Sequence, residues 1–385
     1  MNQRFFFTRT LSILTTGIVF CAAILLYAPC LYAQGAAFIP TQEKDPYFFP
    51  LTSGGKTYPG QWHLWNKMPT PAGGVNAGLD AGLEKAWNVR SSLGYTGRGV
   101  VIGIVDDGVE GNHEDIKDNY RADLSKNFSQ DAYDAYLWKS GLNNTTLAIE
   151  SAPAIHIKNH SYGPDEPFDT GPGNERIKNV LQATSENAVI HVVSAGNSRN
   201  QDQETKLVSC EDANKDFTLT SPYVLPVAAL GSDGTYAVYS SYGANVFVTA
   251  PSSSYANYYG ITTTDRTGAD FGYNKYDAVK NPVGDKWDDF PDTNYASAFG
   301  GTSSAAPLVS GIMALGKEAN PLMSIRMAKH ALSLPTVTDK VDAPNDEWIL
   351  NNGVDIRRNF NPNFGFGLIR ADKFVGKIEE VRIPF

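Results

Sequence analysis

Five short apolar runs constrain the fold of this chain more than any other feature. They are residues 99–105 (GVVIGIV), 154–159 (AIHIKN), 188–194 (AVIHVVS), 223–230 (YVLPVAAL) and 245–251 (NVFVTAP). Continuous apolar runs of this length are typical of strands that are buried on both faces of a sheet. Residues 174–187, between two of the runs, have helical spacing of apolar side chains. The alternation predicts an α/β fold in three layers, with a mostly parallel sheet and helices on both faces.

Polar residues follow three of the predicted strands. The first run ends at Asp106, the second leads to Ser161, and the third leads to Asn197. Each residue alone also fits a helix cap or a turn. Ligands of open α/β sheets bind beyond the carboxyl ends of the strands, so we expect the three residues to share one site.

A fourth candidate is Ser303, in the small-residue stretch FGGTSSAAPLVSG at residues 299–311. An apolar helix is predicted to follow it and to end near Asn320. Pro307 is predicted in the first helical turn, which places Ser303 at the helix N-terminus, where the dipole favours negative charge. Such a serine is either a nucleophile, if a base takes its proton and donors hold an oxyanion, or an N-cap.

The N-terminus has the layout of a signal peptide. Arg4 and Arg9 precede an uncharged apolar run and small residues, which predicts a signal over residues 1–33 with cleavage after Ala33. The mature protein would then be periplasmic or secreted. An uncleaved membrane anchor is the alternative, and a lipid-modified Cys30 is disfavoured by the preceding proline.

Charge and cysteine content narrow the partners of the mature chain. Cleavage removes two arginines and no acids, so the net charge changes from −9 to −11. A surface this acidic repels phosphate backbones and argues against nucleic acid as a partner. Of the three cysteines only Cys210 remains, so no internal disulfide forms. We expect a monomer without a stable membrane partner.

The expected organisation has four parts. Residues 1–33 are the signal, and residues 34–75, rich in Pro, Gly and aromatics, are an N-terminal arm. Residues 76–375 form the α/β domain, which is internally shortened between about residues 127 and 154. Residues 376–385 are a C-terminal tail.

Several motifs resemble those of the subtilisin-like serine proteases, and within them the kexin/furin-like branch. The similar segments span most of residues 45–372 and read GVVIGIVDDGVEGNHEDI, NHSYGP, VVSAGN, GITTTDRTG, GTSSAAP and NFGFGLIRAD. The order, with the aspartate first and the serine last, fits the subtilisin arrangement. The resemblance implies the subtilisin-like three-layer fold and hydrolysis of peptide bonds.

The resemblance also implies roles for individual residues. Ser303 would be the nucleophile, Asp106 the catalytic aspartate and Asn197 the oxyanion donor. The segment that pairs with the substrate backbone would contain Ser161, Tyr162 and Gly163.

Acidic residues carry the implied specificity and metal binding. Asp107, Asp216 and Glu166 would select Lys or Arg before the scissile bond through charge-assisted hydrogen bonds. Asp165 is a rival for Glu166, and each acid is otherwise a solvated loop residue. Asp45 and Asp115 match two ligands of a structural calcium site, and the chemistry itself requires no cofactor.

One catalytic element of the family is missing. The HGT histidine motif is absent, and no histidine lies between His113 and His156. None of the six histidines is a convincing replacement; His160 adjoins Ser161, but strand alternation points it to the other face. Structural roles are the expectation for all six, at positions 63, 113, 156, 160, 191 and 330.

The absence is predicted to be a deletion. Asp106 and Ser161 are 55 residues apart, closer than in the family, and the lost piece would include the histidine helix and a sheet strand. The strands beside the gap would keep unpaired backbone groups or find a new partner. Three hypotheses follow: an endopeptidase cleaving after basic residues, an inactive relative that binds basic peptides, and a chain that does not fold stably.

Overall fold

The structure is a computed structural model, and it describes a defined part of the chain. The described residues are 9–14, 45–66, 76, 78–88, 94–106, 108–127, 155–164, 167–168, 174–199, 209–254, 259–268, 270–275, 290–334, 341, 349–350 and 359–381. Among these residues, no helix is both long and apolar enough to cross a membrane.

A seven-stranded sheet forms the centre of the fold. Its strands, in chain order, are β1 (Arg9–Leu14), β4 (Val101–Asp106), β5 (Tyr120–Asn127), β6 (Ile157–His160), β7 (Ile190–Ser194), β8 (Val224–Leu230) and β9 (Val248–Pro251). Their spatial order is β5-β1-β4-β6-β7-β8-β9. The five strands from β4 to β9 in this order are parallel neighbours. All five predicted apolar runs therefore form the parallel sheet.

Helices cover both faces of the sheet. The α-helices of the described residues are α1 (Leu83–Trp87), α2 (Asn174–Glu186), α3 (Thr302–Ala319), α4 (Ile325–Ser333) and α5 (Ala371–Glu380). Val192 of β7 shares a buried cluster with α3, whereas the next residue, Val193, packs in a second cluster with Leu181 of α2. Successive strand residues point to opposite faces, so α2 and α3 lie on opposite sides. The predicted three-layer α/β fold is confirmed.

The parallel part of the sheet ends at β4, and an N-terminal strand, β1, pairs with the edge of β4 that does not face β6. β1 pairs antiparallel with β4 over six residues, from Arg9 opposite Asp106 to Leu14 opposite Val101. The other edge of β1 pairs antiparallel with β5. Of the two outcomes expected beside the predicted deletion, unpaired backbone groups or a new strand pairing, β4 has a pairing, and its partner β1 lies within the predicted signal.

Smaller elements surround the sheet. Within residues 45–66 of the N-terminal arm, a hairpin of β2 (Leu51–Ser53) and β3 (Lys56–Tyr58) accompanies the buried side chains of Phe48 and Trp62. Helix α5 continues to residue 380, past the boundary at 375 expected from the sequence. The remaining strands pair two by two and are β2 (Leu51–Ser53), β3 (Lys56–Tyr58), β10 (Ile261–Thr264), β11 (Tyr295–Phe299), β12 (Ile349–Leu350) and β13 (Asn359–Phe360).

Candidate active site

Ser303 is the second residue of α3, after a tight glycine turn that leaves β11. Gly301 precedes the helix with φ 83° and ψ 163°, a combination that side-chain-bearing residues rarely adopt. Two buried hydroxyls hold this turn: Gly301 N–H donates to Tyr239 Oη at 2.8 Å, and Ser252 Oγ donates to the Gly301 carbonyl at 2.9 Å. The serine thus starts from a fixed backbone.

The predicted position of Pro307 in the first turn was wrong. The helix starts at Thr302, so Pro307 is its sixth residue and lies in the second turn. A residue at this position normally donates its N–H to the carbonyl of Ser303, four residues earlier, but proline has no N–H. Ser161 Oγ donates to the Ser303 carbonyl instead, at 3.1 Å. The tertiary contact replaces the missing helical one.

Ser161 and Ser303 hold each other in place. The Ser303 hydroxyl donates to the Ser161 carbonyl at 3.4 Å. Behind Ser161, the buried amide of Asn159 donates to its hydroxyl at 3.0 Å and accepts a hydrogen bond from Ser310 of α3 at 3.0 Å. Asn159 and Ser161 are therefore linked to α3 by three hydrogen bonds, two at Ser303 and one at Ser310.

Asn197, beyond the end of β7, has a defined amide orientation. Its Oδ1 accepts from the backbone N–H of Thr302 at 2.8 Å and from the Thr302 hydroxyl at 2.9 Å. Because both donors contact the oxygen, the NH₂ group is the part of the amide that can donate to a ligand. That NH₂ and the N–H groups at the start of α3 are the donors an oxyanion needs.

The three strand ends meet as expected. Asp106 ends β4, and its charge acts on the phenol of Tyr162, which follows β6. Ser161 contacts Ser303, and Asn197 contacts Thr302. The structure therefore gathers the nucleophile candidate, the oxyanion donor candidate and the aspartate at one edge of the sheet.

All six histidines lie in the described residues, and no described contact joins any of them to Ser303 Oγ. His113 Nε2 lies 3.0 Å from the Asn294 carbonyl, and His156 Nδ1 accepts from Val101 N–H at 2.9 Å. His160 and His191 bond to each other at 3.0 Å. His63 is buried in the arm, and His330 is exposed on α4.

The implied specificity residues are described only in part. Asp216 is 5% exposed, and its Oδ1 accepts from Thr218 N–H at 2.7 Å. A Cβ added to Gly163 would lie 3.7 Å from Asp216 Oδ2, so the carboxylate borders the segment expected to pair with substrate. Asp107, Glu166 and its rival Asp165 lie outside the described residues.

Asp45 and Asp115, the two implied calcium ligands, lie near enough for the charge of Asp115 to act on the Asp45 carboxyl. Burial and the charge of Asp115 raise the pKa of Asp45 to about 7, and burial raises the pKa of Asp115. Asp45 Oδ2 is buried without a hydrogen-bond partner among the described atoms. Within that part of the chain no cluster of three metal-binding side chains occurs. Because Ca²⁺ takes six to eight oxygens, the pair fits as part of a calcium site.

The sequence did not reveal the residues that support the site. Thr302 orients Asn197, and it directly precedes the serine, which is a weak signal. Tyr239 and Ser252 support the Gly301 turn from 62 and 49 residues away, and no local pattern marks them.

Comparisons with known proteins agree with this architecture. A model of the Subtilase family matches residues 138–347. Neuroendocrine convertase 2 of Drosophila melanogaster is 26% identical over 391 residues, covering 88% of this chain and 52% of the relative. The mouse protein of the same name is also 26% identical, over 82% of this chain and 51% of the relative. This chain spans about half the length of these relatives.

A solved structure supports the fold. The crystal structure of a serine protease of Aeromonas sobria matches with a TM-score of 0.62 and 22% identity, over 84% of this chain and 68% of that one. The family model covers more than half of the chain, so the predicted family is confirmed. The convertase relatives agree with the predicted branch, and the chain belongs to the Subtilase family.

Proposed function

We propose that this chain carries a serine endopeptidase site that acts on polypeptides with Lys or Arg before the scissile bond. The observation that carries the proposal is the placement of Ser303 at the start of α3 beside the oriented amide of Asn197. The hydroxyl oxygen would attack the peptide carbonyl carbon while its proton passes to a base outside the described contacts. The C–N bond would then break, the amine would leave with that proton, and water would release the acyl group from Ser303. The Asn197 NH₂ and the Ser303 N–H would donate to the oxyanion that forms.

The preference for basic residues rests on the acids around the cleft. Asp216 is buried beside Gly163, and Asp106 ends the neighbouring strand. A buried carboxylate is stabilised by a cationic partner, so a Lys or Arg side chain that reaches Asp216 would form a charge-assisted hydrogen bond.

A second candidate is capture of basic peptides without cleavage. It is favoured by the absence of any described contact between a histidine and Ser303. Without a base the serine keeps its proton; in subtilisin, loss of the serine or the histidine alone lowers turnover by about two million-fold. The oxyanion donors and binding alone retain only about 10³–10⁴-fold over water. Such a chain would bind peptides and release them intact.

The deciding experiment is labelling of Ser303. The full chain and its Ser303→Ala variant are treated with a fluorophosphonate probe and incubated with a Lys-Arg peptide and a matched norleucine peptide. Labelling of the wild type alone, with cleavage after the basic pair, supports the endopeptidase. Cooperative thermal unfolding without labelling refutes it, and peptide binding by that sample supports capture. Non-cooperative unfolding would instead support the hypothesis of an unstable chain.

We also propose two accompanying properties. Export follows from the N-terminal charge and apolar pattern, which would place the site outside the cytoplasm; cleavage after Ala33 would remove β1 with the signal, so the exported chain would lack that strand. Structural calcium follows from the pairing of Asp45 with Asp115 and the unsatisfied oxygen of Asp45. N-terminal sequencing of the secreted chain tests the first, and calcium-dependent unfolding tests the second.

A further inference from the structure

Four polar side chains form a continuous hydrogen-bonded chain from the rim of the cleft into the layer behind the sheet. Tyr162 Oη lies 2.9 Å from His160 Nδ1, and His160 Nε2 lies 3.0 Å from His191 Nδ1. His191 Nε2 lies 2.7 Å from the hydroxyl of Thr184, on α2. The mechanism above uses neither histidine.

The proton positions along these four side chains follow from Thr184, the residue farthest from the cleft. The Thr184 hydroxyl donates to the Val180 carbonyl at 2.6 Å, a contact too short for two oxygens without a proton between them. Thr184 has one proton, so in its contact with His191 it must accept. His191 therefore carries its proton on Nε2, and its Nδ1 is an acceptor.

The proton positions of His160 and Tyr162 follow from that of His191. His160 must donate from Nε2 to His191, which leaves His160 Nδ1 as an acceptor. The hydroxyl of Tyr162 must then donate to His160. Both rings stay neutral, because burial and the neighbouring Lys158 lower the pKa of His160 to about 3 and that of His191 well below its usual value. Each of the three contacts, from Tyr162 to His160, from His160 to His191 and from His191 to Thr184, is therefore a hydrogen bond with one donor and one acceptor.

The consequence lies at the cleft. The only proton of the Tyr162 hydroxyl is committed to His160, so any other group that hydrogen-bonds to the phenolic oxygen must donate to it. Tyr162 is 42% exposed, and the charges of Asp106 and Asp216 both act on its phenol. A donor that is also a cation is therefore favoured twice, by direction and by charge.

We propose that Tyr162 is a specificity-determining residue whose hydroxyl accepts a hydrogen bond from the ammonium or guanidinium group of a bound polypeptide. His160, His191 and Thr184 are positioning residues that fix the direction of this hydrogen bond. The inference rests on the proposed recognition of basic peptides, and it assigns that recognition a third group beside the two carboxylates.

The first test reads the tautomers directly. Nitrogen-15 NMR of the histidine-labelled full chain at pH 7.5 is expected to show His160 and His191 neutral and protonated on Nε2, with assignment from His160→Asn and His191→Asn. A proton on Nδ1 of either ring, or an imidazolium at this pH, overturns the inference.

The second test measures affinity in the Ser303→Ala full chain by fluorescence anisotropy. Tyr162→Phe removes only the oxygen and is expected to weaken binding of a Lys-Arg peptide about tenfold, while a norleucine peptide is unaffected. Thr184→Val removes the inner acceptor and is expected to reduce the preference for the basic peptide, whereas Thr184→Ser retains it. A structural role alone would not separate the two peptides.

The failures of the two proposals are distinguishable. Equal binding of the Lys-Arg peptide by Tyr162→Phe and its parent overturns the role of Tyr162 while basic recognition stands. No binding of that peptide by the parent overturns both the role of Tyr162 and the basic preference. Fluorophosphonate labelling of Ser303 needs no basic side chain, so it still decides whether the serine is reactive.

Discussion

At Ser303 two groups of one residue have different tasks. Its side chain, the candidate nucleophile, donates to the Ser161 carbonyl. Its own carbonyl receives no helical hydrogen bond, because Pro307 has no N–H to donate. The hydroxyl of Ser161 fills that place. The position of the serine is therefore coupled to the strand that we expect to bind the substrate backbone.

Replacing Ser161 tests this coupling. Ser161→Ala leaves the Ser303 carbonyl without the Ser161 donor, and we expect the free energy of unfolding in urea to fall by about 1–3 kcal/mol. In a Pro307→Ala background the new N–H can donate to that carbonyl, so the same substitution should cost less, with a coupling of at least about 0.5 kcal/mol. Additive losses would show that the two residues do not share this carbonyl.

Asp45 gives a pH- and calcium-dependent prediction. Its folded pKa of about 7 lies above the ordinary value of 3.8, so it retains a proton in the folded chain after the unfolded chain has lost one. The stability that this proton contributes is lost as the pH rises through 7. Without calcium, Asp45→Asn should raise the Tm at pH 8 more than at pH 5.

Calcium should reverse the order of the Tm values of the wild type and Asp45→Asn at pH 8. Added Ca²⁺ should raise the Tm of the wild type at pH 8 but leave that of Asp45→Asn unchanged. Asp118→Asn, at an exposed acid of the loop that carries Asp115, is the control and should respond to calcium like the wild type. An equal response of both variants would remove Asp45 from the site.

At the scale of elements, α3 and β1 depend on groups far away in the sequence. The start of α3 rests on the Tyr239 and Ser252 contacts with Gly301. β1 supplies the strand between β4 and β5. Neither arrangement is a property of the segment alone.

A side chain at Gly301 should disturb the start of α3. Gly301→Ala places a Cβ on a backbone with φ 83°, which costs about 1–3 kcal/mol, and we expect slower labelling of Ser303 as the turn shifts. Gly376→Ala in α5 is the control: its Cβ would meet nothing within 4 Å, so a gain of about 0.5–1 kcal/mol is expected. Thermal unfolding measures both. A neutral Gly301→Ala would contradict the role of the turn.

Removing residues 1–33 tests β1. The deletion takes away the strand whose six residues pair with β4, so buried backbone groups lose partners at about 1–3 kcal/mol each. We expect the chain of residues 34–385 to unfold at a lower urea concentration than the full chain, by about 3 kcal/mol or more. Equal midpoints would show that β1 does not stabilise the sheet.

At the scale of the whole molecule, the hydrogen-bonded pair of His160 and His191 makes global stability sensitive to acid. An unfolded histidine titrates near about 6.5, whereas His160 in the fold titrates at about 3 and His191 is shifted in the same direction. Below pH 6.5 the unfolded chain binds protons that the folded chain does not. Stability therefore falls as the pH drops from 6.5 towards 3.

The size of the effect can be measured as a slope. Each such histidine contributes up to about 1.4 kcal/mol per pH unit to the loss. His191→Gln should flatten the dependence of the free energy of unfolding on pH between 4 and 6. His330→Gln, at an exposed histidine on α4, is the control and should keep the slope of the wild type. An unchanged slope in His191→Gln would contradict a neutral pair of His160 and His191.

The sequence by itself determined the parallel sheet, its flanking helices and the placement of Ser303 at a helix N-terminus. These features follow from apolar runs, helical spacing and the small-residue stretch around Ser303, which are patterns of neighbouring residues. The motif order also determined the family. The absence of the HGT motif was also visible in the sequence, because a motif of neighbouring residues can be detected without knowing the fold.

Only the tertiary structure decided how the site is held. Pro307 lies a turn later than the local rule predicts, and the hydroxyl of Ser161, 142 residues before Ser303, supplies the Ser303 carbonyl with the donor that the proline lacks. The direction of the Tyr162 hydroxyl depends in turn on Thr184, on a helix behind the sheet. Such contacts join residues that are distant in the chain, so no local pattern records them; they exist only once the strands and helices have packed.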